Sequence, residues 1–444
     1  MPFTKLGLSD PLLRAIADAG YTTPSPIQLQ AIPAVLNGHD LLAAAQTGTG
    51  KTAGFALPIL HRLSQHNYGA NRPVRVLILT PTRELAAQVG ESVTKYGAHL
   101  HPRLKTEIVF GGVKINPQMM RLRGGVDVLV ATPGRLLDLV GQNALKLDKV
   151  ETLVLDEADR MLDMGFSEDV LTIINTCNTQ KQTLLFSATL SHSGVIKMAN
   201  KVLTNYGTIV LNSLQDGHRN IEQQIVLADD GDHKQKLLAW LLLNESYDKA
   251  LVFTNTRLNA DALRGPLRGQ KLRVGVLHGE MDQKDRNRMM ELFRDGSVNI
   301  MIATDLAARG LDIKGINLVI NFDVPRNGIN YVHRIGRTGR VDELGLAITL
   351  VKHTEWNLMS GIERFLKQKF TRKNIKELQG SYKGPKKTKG SGKSVGSKTK
   401  IEPKKVAPEK IKVRHRDAKN VGKRRVPTNT PLATDQVTDQ ESES

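Results

Sequence analysis

The chain has 444 residues, 40% of them hydrophobic and 4% aromatic, which is enough for two domains of ordinary size and a further segment. Its one cysteine, Cys177, excludes an intramolecular disulfide, and no apolar run reaches membrane-spanning length, so we expect a soluble, cytoplasmic protein without a membrane partner. The net charge of +19 indicates a polyanionic partner.

The N-terminal segment contains a predicted helix followed by a proline-rich loop. Residues 8–20, LSDPLLRAIADAG, place Asp10 at the helix cap, Pro11 in the first turn and Gly20 at the end. The next loop, GYTTPSPIQ, ends at Gln28, whose side-chain amide can both donate and accept hydrogen bonds at a base edge. Packing in the core is the simpler interpretation of this glutamine.

Residues 43–52, AAAQTGTGKT, form a glycine-rich turn that leads into a helical segment. Gly48 and Gly50 let the backbone turn so that its amides face phosphate oxygens. Lys51 supplies a positive charge for the β- and γ-phosphates, and Thr52 supplies a hydroxyl for Mg²⁺. Ala45 stands where the strict phosphate-loop pattern has its first glycine.

Residues 150–159, VETLVLDEAD, combine an apolar run with three carboxylates. The run predicts a strand buried on both faces of a parallel sheet, and Asp156, Glu157 and Asp159 follow at its carboxyl end. Acids at that edge can hold a metal and orient a water molecule, although a solvated acidic loop is the alternative for this stretch alone. Together with the phosphate loop, they predict a nucleotide hydrolase.

Alternating strand and helix candidates predict two α/β domains with parallel sheets, joined by a linker at residues 209–220. The first domain, residues 1–208, has strand candidates at 40–44, 74–80, 105–109, 126–131, 152–156 and 182–187. The second, residues 221–370, has strand candidates in LVFTNTR, VGVLHG, NIMIATD, LVINFD and AITLV, and no phosphate loop of its own.

Residues 371–444 are predicted to form a disordered, basic tail. Gly, Ser, Lys and Pro dominate it, and Tyr382 is its only aromatic residue. Between Lys383 and Arg425 there are 17 Lys and Arg residues against three acids, whereas residues 426–444 hold four acids and no Lys or Arg. Such a segment cannot bury enough apolar surface to fold alone, and it is expected to bind a polyanion through charge.

An ordered series of short motifs resembles the DEAD-box ATP-dependent RNA helicases: GYTTPSPIQ, AQTGTGKT, PTRELAAQ, GG, TPGR, DEAD, SAT, ATDLAARGLD and HRIGRTGR. The resemblance covers roughly residues 1–369 and implies two tandem RecA-like domains. Residues 110–139 are similar to the RhlE group, whereas residues 411–425 are similar to the C-terminal end of SrmB-type helicases. A generic polybasic arm is the alternative interpretation of that C-terminal similarity.

The resemblance implies that ATP and Mg²⁺ are the cofactors. In the family pattern Gln28 holds adenine, Phe3 stacks on it and Asp312 contacts the ribose, while core packing remains the alternative for Phe3 and Gln28. Thr52 and Asp156 would hold the metal, and Glu157 would accept a proton from the attacking water. The implied nucleotide-binding set is Phe3, Gln28, Gln46, Thr47, Gly48, Thr49, Gly50, Lys51, Thr52 and Asp312.

The resemblance also assigns catalytic roles to the second domain. Arg337 and Arg340 would act as arginine fingers on the γ-phosphate. His333 would link to residues 156–159, the acid loop. Hydrolysis would then require the two domains to close. Ser187 and Thr189 of SAT would couple the nucleotide state to unwinding, with a plain strand end as the alternative for this tripeptide.

RNA is the implied partner. The protein would contact the phosphates and sugars of one strand, so its affinity would fall with rising salt and would not depend on the base sequence. Bound ATP and RNA would each tighten the binding of the other. The helix after TPGR would kink the strand and open a short duplex locally. The implied RNA-binding residues are Arg83, Gly112, Thr132, Gly134 and Arg135 in the first domain and Arg257, Thr304, Arg309 and Gly310 in the second.

The predicted activity is therefore an RNA-dependent ATPase and RNA helicase that remodels structured or short duplex RNA, ribosomal RNA among the candidates. Ribosome assembly is the favoured pathway, with ribosomal precursor or RNA-decay proteins as candidate partners. A nucleotide-dependent RNA clamp or chaperone, a general mRNA-decay helicase and a DNA helicase remain alternatives. The sequence does not predict the oligomeric state.

Overall fold

The computed structural model describes residues 1–45, 48–66, 72–190, 193–211, 220–308, 315–339 and 344–385. Among the helices of these segments, none is both long and apolar enough to cross a membrane. Two seven-stranded sheets divide the described chain into a first lobe, up to residue 211, and a second lobe, from residue 220. Six predicted site residues lie outside the described segments: Gln46, Thr47, Arg309, Gly310, Asp312 and Arg340.

The first lobe is built on a parallel sheet in the order β3-β4-β2-β5-β6-β1-β7. Most of its strands are short apolar runs because the sheet is covered on both faces. The strands are β1 (Leu41–Ala44), β2 (Val76–Leu79), β3 (Thr106–Val109), β4 (Val128–Ala131), β5 (Thr152–Leu155), β6 (Gln182–Ser187) and β7 (Gly207–Val210).

Helices alternate with these strands, as parallel connections require. Ser9 precedes the first helix, so the predicted cap at Asp10 is wrong by one residue, and Asp10 opens the helix instead. The helices are α1 (Asp10–Asp18), α2 (Pro26–Leu36), α3 (Lys51–Ser64), α4 (Arg83–Tyr96), α5 (Ile115–Leu122), α6 (Pro133–Gly141), α7 (Ala158–Asp163), α8 (Ser167–Thr176) and α9 (Ser193–Val202).

The second lobe repeats this topology in the order β10-β11-β9-β12-β13-β8-β14, so that β8 takes the place of β1 and β14 that of β7. Its strands are β8 (Ile221–Ala228), β9 (Lys249–Thr254), β10 (Val274–Leu277), β11 (Ile300–Thr304), β12 (Ile316–Asn321), β13 (Gly345–Lys352) and β14 (Thr371–Arg372). Its helices are α10 (Gly231–Asn244), α11 (Arg257–Gly269), α12 (Gln283–Arg294), α13 (Asp305–Ala308), α14 (Gly328–Ile335) and α15 (Trp356–Leu366).

The core lies on both faces of each sheet. In β4, Val128 and Val130 join one apolar cluster, whereas Leu129 and Ala131 join the cluster on the opposite face. Successive side chains of a strand point to opposite faces of the sheet. A strand covered on both faces therefore has no exposed face that could bind a ligand. The loops at the carboxyl ends of the strands are therefore where the functional side chains lie. The predicted α/β architecture of two tandem parallel-sheet domains is confirmed.

Three strands were not predicted, and two of them change the expected boundaries. The edge strand β7 runs across the predicted domain end at residue 208 into the predicted linker. In β7 only Ile209 is buried, so its apolar signal is weak. In β8, two glutamines interrupt the apolar pattern although the strand lies inside the sheet.

The third unpredicted strand, β14, shows that the predicted tail starts too early. Residues 371–385, the C-terminal strap, continue the second lobe, because β14 pairs in parallel with β8. Ile375 is buried in the apolar core. Asp229 accepts hydrogen bonds from the backbone N–H groups of Ser381 at 2.8 Å and Tyr382 at 2.6 Å. A short strand and one buried side chain leave little periodic signal in such a polar segment.

Candidate functional site

The predicted phosphate loop connects β1 to α3, with Gly48, Thr49 and Gly50 before the helix and Lys51 and Thr52 at its start. Gly48 and Gly50 have φ values of 85° and 89°, a left-handed conformation that glycine adopts without strain. A Cβ atom on Gly50 would lie 2.4 Å from the side-chain nitrogen of Gln28. Position 50 therefore requires glycine for both its conformation and its close contact with α2.

Gln28 connects helix α2 to this loop. Its side-chain oxygen accepts a hydrogen bond from the Ser25 N–H at 2.9 Å, and its amide nitrogen donates to the Gly50 carbonyl at 3.2 Å. Phe3 lies in the apolar core of the first lobe with 5% of its surface exposed. The structure thus brings Gln28 to the loop and places Phe3 in the core, and the adenine contacts of both residues stay predictions.

Lys51 is the first residue of α3 and is only 7% exposed. Within the described part of the chain, its Nζ atom has no hydrogen-bond partner. A buried ammonium group without a partner is energetically costly, and an anionic ligand would remove that cost. This side chain fits the predicted phosphate contact.

Asp156 and Glu157 follow β5 and are both buried. Oδ1 of Asp156 accepts a hydrogen bond from the Glu157 N–H at 2.9 Å. Burial raises the pKa of Asp156 to about 6, although the positive charge of Lys51 opposes that rise. Glu157 has φ 52° and ψ 50°, a strained conformation for a non-glycine residue of the kind that accumulates at functional sites.

The residues present also fit a magnesium site in which the protein supplies only one or two of the metal ligands. In the described segments, no group of three or more His, Cys, Asp or Glu side chains could hold a metal. Mg²⁺ in nucleotide sites is commonly bound by one or two protein groups together with phosphate oxygens and water. The predicted pair of Thr52 and Asp156 matches that arrangement.

Arg160 is a site residue that we did not predict. It is 1% exposed, and its Nη1 atom lies 2.8 Å from Oε2 of Glu157, one helical turn away. Its Nε and Nη2 atoms have no hydrogen-bond partner among the described residues. The i, i+3 spacing of Glu157 and Arg160 was a signal in the sequence, because such residues are neighbours on a helix.

Asp159 connects the acid loop to the second lobe. Its Oδ2 atom lies 3.5 Å from Nε2 of His333 on α14, the approach that we expected of this histidine. Burial and the positive charge of Arg160 lower the pKa of His333 from its usual value, against the effect of Asp159. Burial alone would raise the pKa of Asp159, but His333, Arg160 and Lys51 hold it well below its usual range.

The SAT tripeptide after β6 contacts the same acid. The Ser187 hydroxyl donates to the Thr189 carbonyl at 2.8 Å and accepts from the Thr189 N–H at 3.3 Å. The Ala188 N–H donates to Oδ1 of Asp159 at 3.4 Å. Ser187 and Thr189 therefore shape a turn that ends on the carboxylate facing His333. The coupling role of Ser187 and Thr189 stays a prediction. The hydrogen bond from Ala188 to Asp159, which faces His333, supports it.

Two arginines of HRIGRTGR lie on or beside α14 with different surroundings. The Arg337 Nε–H donates to the His333 carbonyl at 3.3 Å. Arg334, which we did not predict, contacts both carboxylate oxygens of Asp305 at 2.6 and 2.8 Å and donates to the Asp323 carbonyl at 2.7 Å. Arg334 therefore anchors α14 within the second lobe, whereas Arg337 lies next to the histidine that reaches the first lobe.

The predicted RNA-binding residues of the first lobe form one neighbourhood. Gly112 has φ 75°, and a Cβ atom there would lie 2.2 Å from Nη2 of Arg83. Nη2 of Arg135 donates to the Val113 carbonyl at 2.9 Å. The PTREL, GG and TPGR motifs are therefore brought together, although they are far apart in the sequence.

The remaining predicted RNA contacts lie at loop and helix starts. Thr132 precedes α6, and Gly134 has open space where a side chain would lie. Thr304 ends β11, and Arg257 opens α11 with its side chain paired to Glu280. These residues, like Arg83 and Gly112, follow the carboxyl ends of strands, which is where ligands bind in such sheets.

Two further unpredicted residues, Gln283 and Arg286 of α12, reach from the second lobe to the PTREL motif. The Arg286 Nε–H donates to Glu84 at 2.5 Å, and its Nη2 atom donates to the Ala307 carbonyl at 2.6 Å. Nη1 of Arg83 donates to the Gln283 side chain at 2.9 Å. Both lobes therefore meet at residues of a predicted RNA-binding motif.

Comparisons with known families identify both lobes. The model described as DEAD/DEAH box helicase matches residues 25–198, and the model described as helicase conserved C-terminal domain matches residues 233–342. Two curated proteins are similar over nearly their whole lengths. The ATP-dependent RNA helicase SrmB of Escherichia coli K12 is 40% identical, with 96% of this chain and 97% of that protein covered.

The second curated protein, SrmB of Haemophilus influenzae, is 38% identical, with 96% of this chain and 98% of that protein covered. Among solved structures, Saccharomyces cerevisiae Dbp5 bound to RNA and ADP BeF3 is similar, with a TM-score of 0.75 and 31% identity. That similarity covers 84% of this chain and 95% of the Dbp5 chain.

Proposed function

The chain belongs to the DEAD-box family of ATP-dependent RNA helicases, and from that premise we propose that it remodels ribosomal RNA during ribosome assembly. It is an ATP-hydrolysing RNA helicase. The main support for how the helicase acts is the contact between Asp159 of the acid loop and His333 of the second lobe. Through this contact the hydrolytic residues respond to the position of the second lobe, which carries four of the nine predicted RNA-binding residues.

Each step of hydrolysis has a candidate residue in the first lobe. Lys51 neutralises the β- and γ-phosphates, and its lack of a hydrogen bond from Nζ within the described residues supports that role. Glu157 orients the attacking water and accepts its proton. Thr52 and Asp156 would hold Mg²⁺, which supplies positive charge to the transferring phosphoryl group when bound. Phosphoryl transfer needs mainly such positioning and charge stabilisation.

Arg160 holds Glu157 ready for this role in our proposal. A buried guanidinium 2.8 Å from the carboxylate limits the rotamers of Glu157. The remaining charge on the γ-phosphate is met by the arginine fingers Arg337 and Arg340. The position of Arg337 beside His333 supports this assignment, and Arg340 lies outside the described residues.

RNA and ATP act together through the lobe contacts. A strand laid on Arg83, Gly112 and Arg135 would meet the surface where Gln283 and Arg286 of the second lobe contact PTREL. Binding there favours the closed arrangement, which also brings Arg337 to the nucleotide. Helix α6, which begins at Pro133 within TPGR, then bends the bound strand. A bent strand does not stay in an A-form duplex, so a short duplex opens locally.

The pathway and group are proposed from the breadth of the similarity. The two SrmB proteins match 96% of this chain, whereas the RhlE-like segment spans only residues 110–139. We therefore place the protein beside SrmB within the family, acting in the cytoplasm on ribosomal RNA and ribosomal precursor proteins. The basic tail adds non-specific affinity for RNA through charge.

In-cell crosslinking of the full chain and of a chain ending at Pro385, with sequencing of the attached RNA, tests this proposal. Defined ribosomal RNA sites would support ribosome assembly, and weaker crosslinking of the truncated chain at the same sites would support a tail that adds non-specific affinity. Scattered messenger RNAs with both chains would contradict it and favour a general mRNA-decay helicase. Duplex-release assays in vitro separate a helicase from a nucleotide-dependent clamp, because a clamp retains RNA without releasing the second strand.

A further inference from the structure

The two lobes end their equivalent strands β1 and β8 in different ways. In the first lobe, β1 leads into the phosphate loop. In the second lobe, β8 is followed by Asp229, Asp230 and Gly231 at the start of α10, with no phosphate loop. The C-terminal strap instead covers the carboxyl end of β8, the position at which sheets of this topology bind ligands.

The strap is held firmly at that place. Its start pairs with β8, and Asp229 accepts two backbone hydrogen bonds from its later part. Nε2 of His233 lies 3.0 Å from the Leu378 carbonyl oxygen. Gly380 passes so close to α10 that a Cβ atom there would lie 2.7 Å from both Asp229 and His233. The conformation of the strap is therefore fixed by contacts on both sides.

A cavity of about 280 Å³ lies between the strap and the sheet. Its floor is apolar, with Val226, Leu237 and Leu378 among the lining side chains. Its rim is polar and includes the amide side chains of Asn374 and Gln379, which can donate and accept hydrogen bonds. The cavity thus combines an apolar surface for a flat ring with groups that can meet the polar edge of that ring.

Positively charged side chains and one aromatic ring, that of Tyr382, line the same opening. Arg372 and Lys383 line it and are exposed, and Tyr382 is half-buried beside them. The Arg372 guanidinium lies 5.2 Å from the ring centre of Trp356. Two of the nearby acids are engaged within the chain, since Asp229 accepts strap amides and Glu245 pairs with Lys373, whereas Glu377 on the strap is exposed. The opening therefore favours an anion that carries an aromatic ring.

We propose that this strap pocket binds one nucleotide of a single-stranded RNA segment that extends past the contacts of the two lobes. The base would enter the cavity, and its phosphates would meet Arg372 and Lys383. Stacking on aromatic rings combined with positive charge is how proteins bind single strands without strong sequence preference. The inference rests on the RNA-binding role proposed above and adds a separate site to it.

The pocket lies within reach of the RNA-binding residues of the second lobe. Arg257 and Thr304 follow or end strands β9 and β11, at the same edge of the parallel sheet as the strap. From β9 to β8 there are three strand spacings, a lateral distance of about 14 Å. In the sequence, the basic tail begins directly after the strap.

The test compares two single-stranded RNAs, one of about six nucleotides and one of about fourteen, by anisotropy with an ATP analogue present. The full chain should bind the longer RNA more tightly. In Gln379→Ala/Lys383→Glu and in Tyr382→Ala, the ratio of the two affinities should fall about tenfold. Lys376→Glu is the matched control, because Lys376 is an exposed strap residue that does not line the cavity, and it should keep the wild-type ratio.

Each outcome has a defined meaning once thermal unfolding shows that the variants fold. An unchanged ratio in both pocket variants, or an equal fall in Lys376→Glu, would overturn the proposal. Binding of adenosine monophosphate to the wild type that is lost in the pocket variants, together with an unchanged ratio of RNA affinities in those variants, would also overturn it in favour of a free-nucleotide site. Failure of the wild type to bind the shorter RNA would instead contradict the RNA-binding role of the two lobes.

Discussion

The two lobes share one strand order but differ in the loops that come after equivalent strands. After β1 the first lobe has glycines, a buried lysine and a threonine. After β8 the second lobe has two aspartates, and the C-terminal strap, from much later in the chain, covers the end of that strand. The sheet provides an edge where ligands can bind, and the loops decide which ligand that is. The repeated fold therefore does not imply a repeated activity.

The buried charges show the same asymmetry. The first lobe buries Lys51, Asp156, Glu157 and Arg160 close to the end of β5. The second lobe adds His333 to this group through its contact with Asp159. Under the proposed mechanism, a site divided in this unequal way would bind the phosphates through the first lobe and complete the chemistry only with the second. Substitutions on either side of that division should therefore have distinct effects.

The largest effect is expected from removing the base of the first lobe. Glu157→Gln should lower RNA-stimulated ATP turnover by about 10²–10⁴-fold, because the amide cannot accept the proton of the attacking water. Affinity for ATP and RNA should be retained. Steady-state ATPase assays and binding titrations measure both quantities. Glu168→Gln, an exposed carboxylate on α8, is the matched control, and turnover near the wild-type rate in Glu157→Gln would refute the catalytic assignment.

The next effect comes from the phosphate loop. Lys51→Ala should lower kcat/KM for ATP by about 10²–10³-fold, since the charge that stabilises the phosphates is lost. The free energy of unfolding should change little, because the cost of burying Nζ without a hydrogen bond within the described chain offsets the attraction of its charge to Asp156 and Asp159. Denaturant unfolding of Lys51→Ala and of Lys201→Ala, an exposed control, measures this. A clear loss of stability in Lys51→Ala alone would indicate a structural lysine.

A smaller effect is expected at the contact between lobes. Arg286→Glu places two carboxylates together at Glu84 and should lower RNA-stimulated turnover about tenfold, within the usual range of coupling energies. The charge-reversed pair Glu84→Arg/Arg286→Glu should recover part of the rate. Arg288→Glu, exposed on the same helix, should behave as the wild type. Equal rates in Arg286→Glu and the wild type would show that this contact has no part in activation.

The smallest effect concerns pH and His333. Its pKa lies below the usual 6.5 in the folded chain, so the unfolded chain takes up more protons as the pH falls through that value. The free energy of unfolding should therefore decrease from pH 7.5 to pH 5.5, by at most about 1.4 kcal/mol per pH unit. The raised pKa of Asp156 acts in the opposite direction below neutral pH.

Comparison with His333→Asn isolates this contribution, because Asp156 is present in both proteins. The variant should lose less stability than the wild type over the same pH range in denaturant titrations. If the two proteins lose equal stability, then His333 does not have a lowered pKa in the folded chain.

The sequence predicts local features and misses those that depend on assembly of distant segments. The phosphate loop and the acids after β5 are contiguous motifs, and most of the six candidate strands of the first lobe are apolar runs, so local patterns are enough to predict them. Strand β8 was missed because Gln223 and Gln224 hide its pattern. The partner of Glu84 is Arg286, about two hundred residues away, and no local pattern encodes such a pair.

We propose that the two lobes form one site in which ATP and RNA each strengthen the binding of the other. The direct test measures RNA affinity with and without an ATP analogue and Mg²⁺, and the analogue's affinity with and without RNA. Each ligand should raise the affinity of the protein for the other by the same factor, about 5- to 150-fold. Affinities that do not change when the other ligand is added would contradict it.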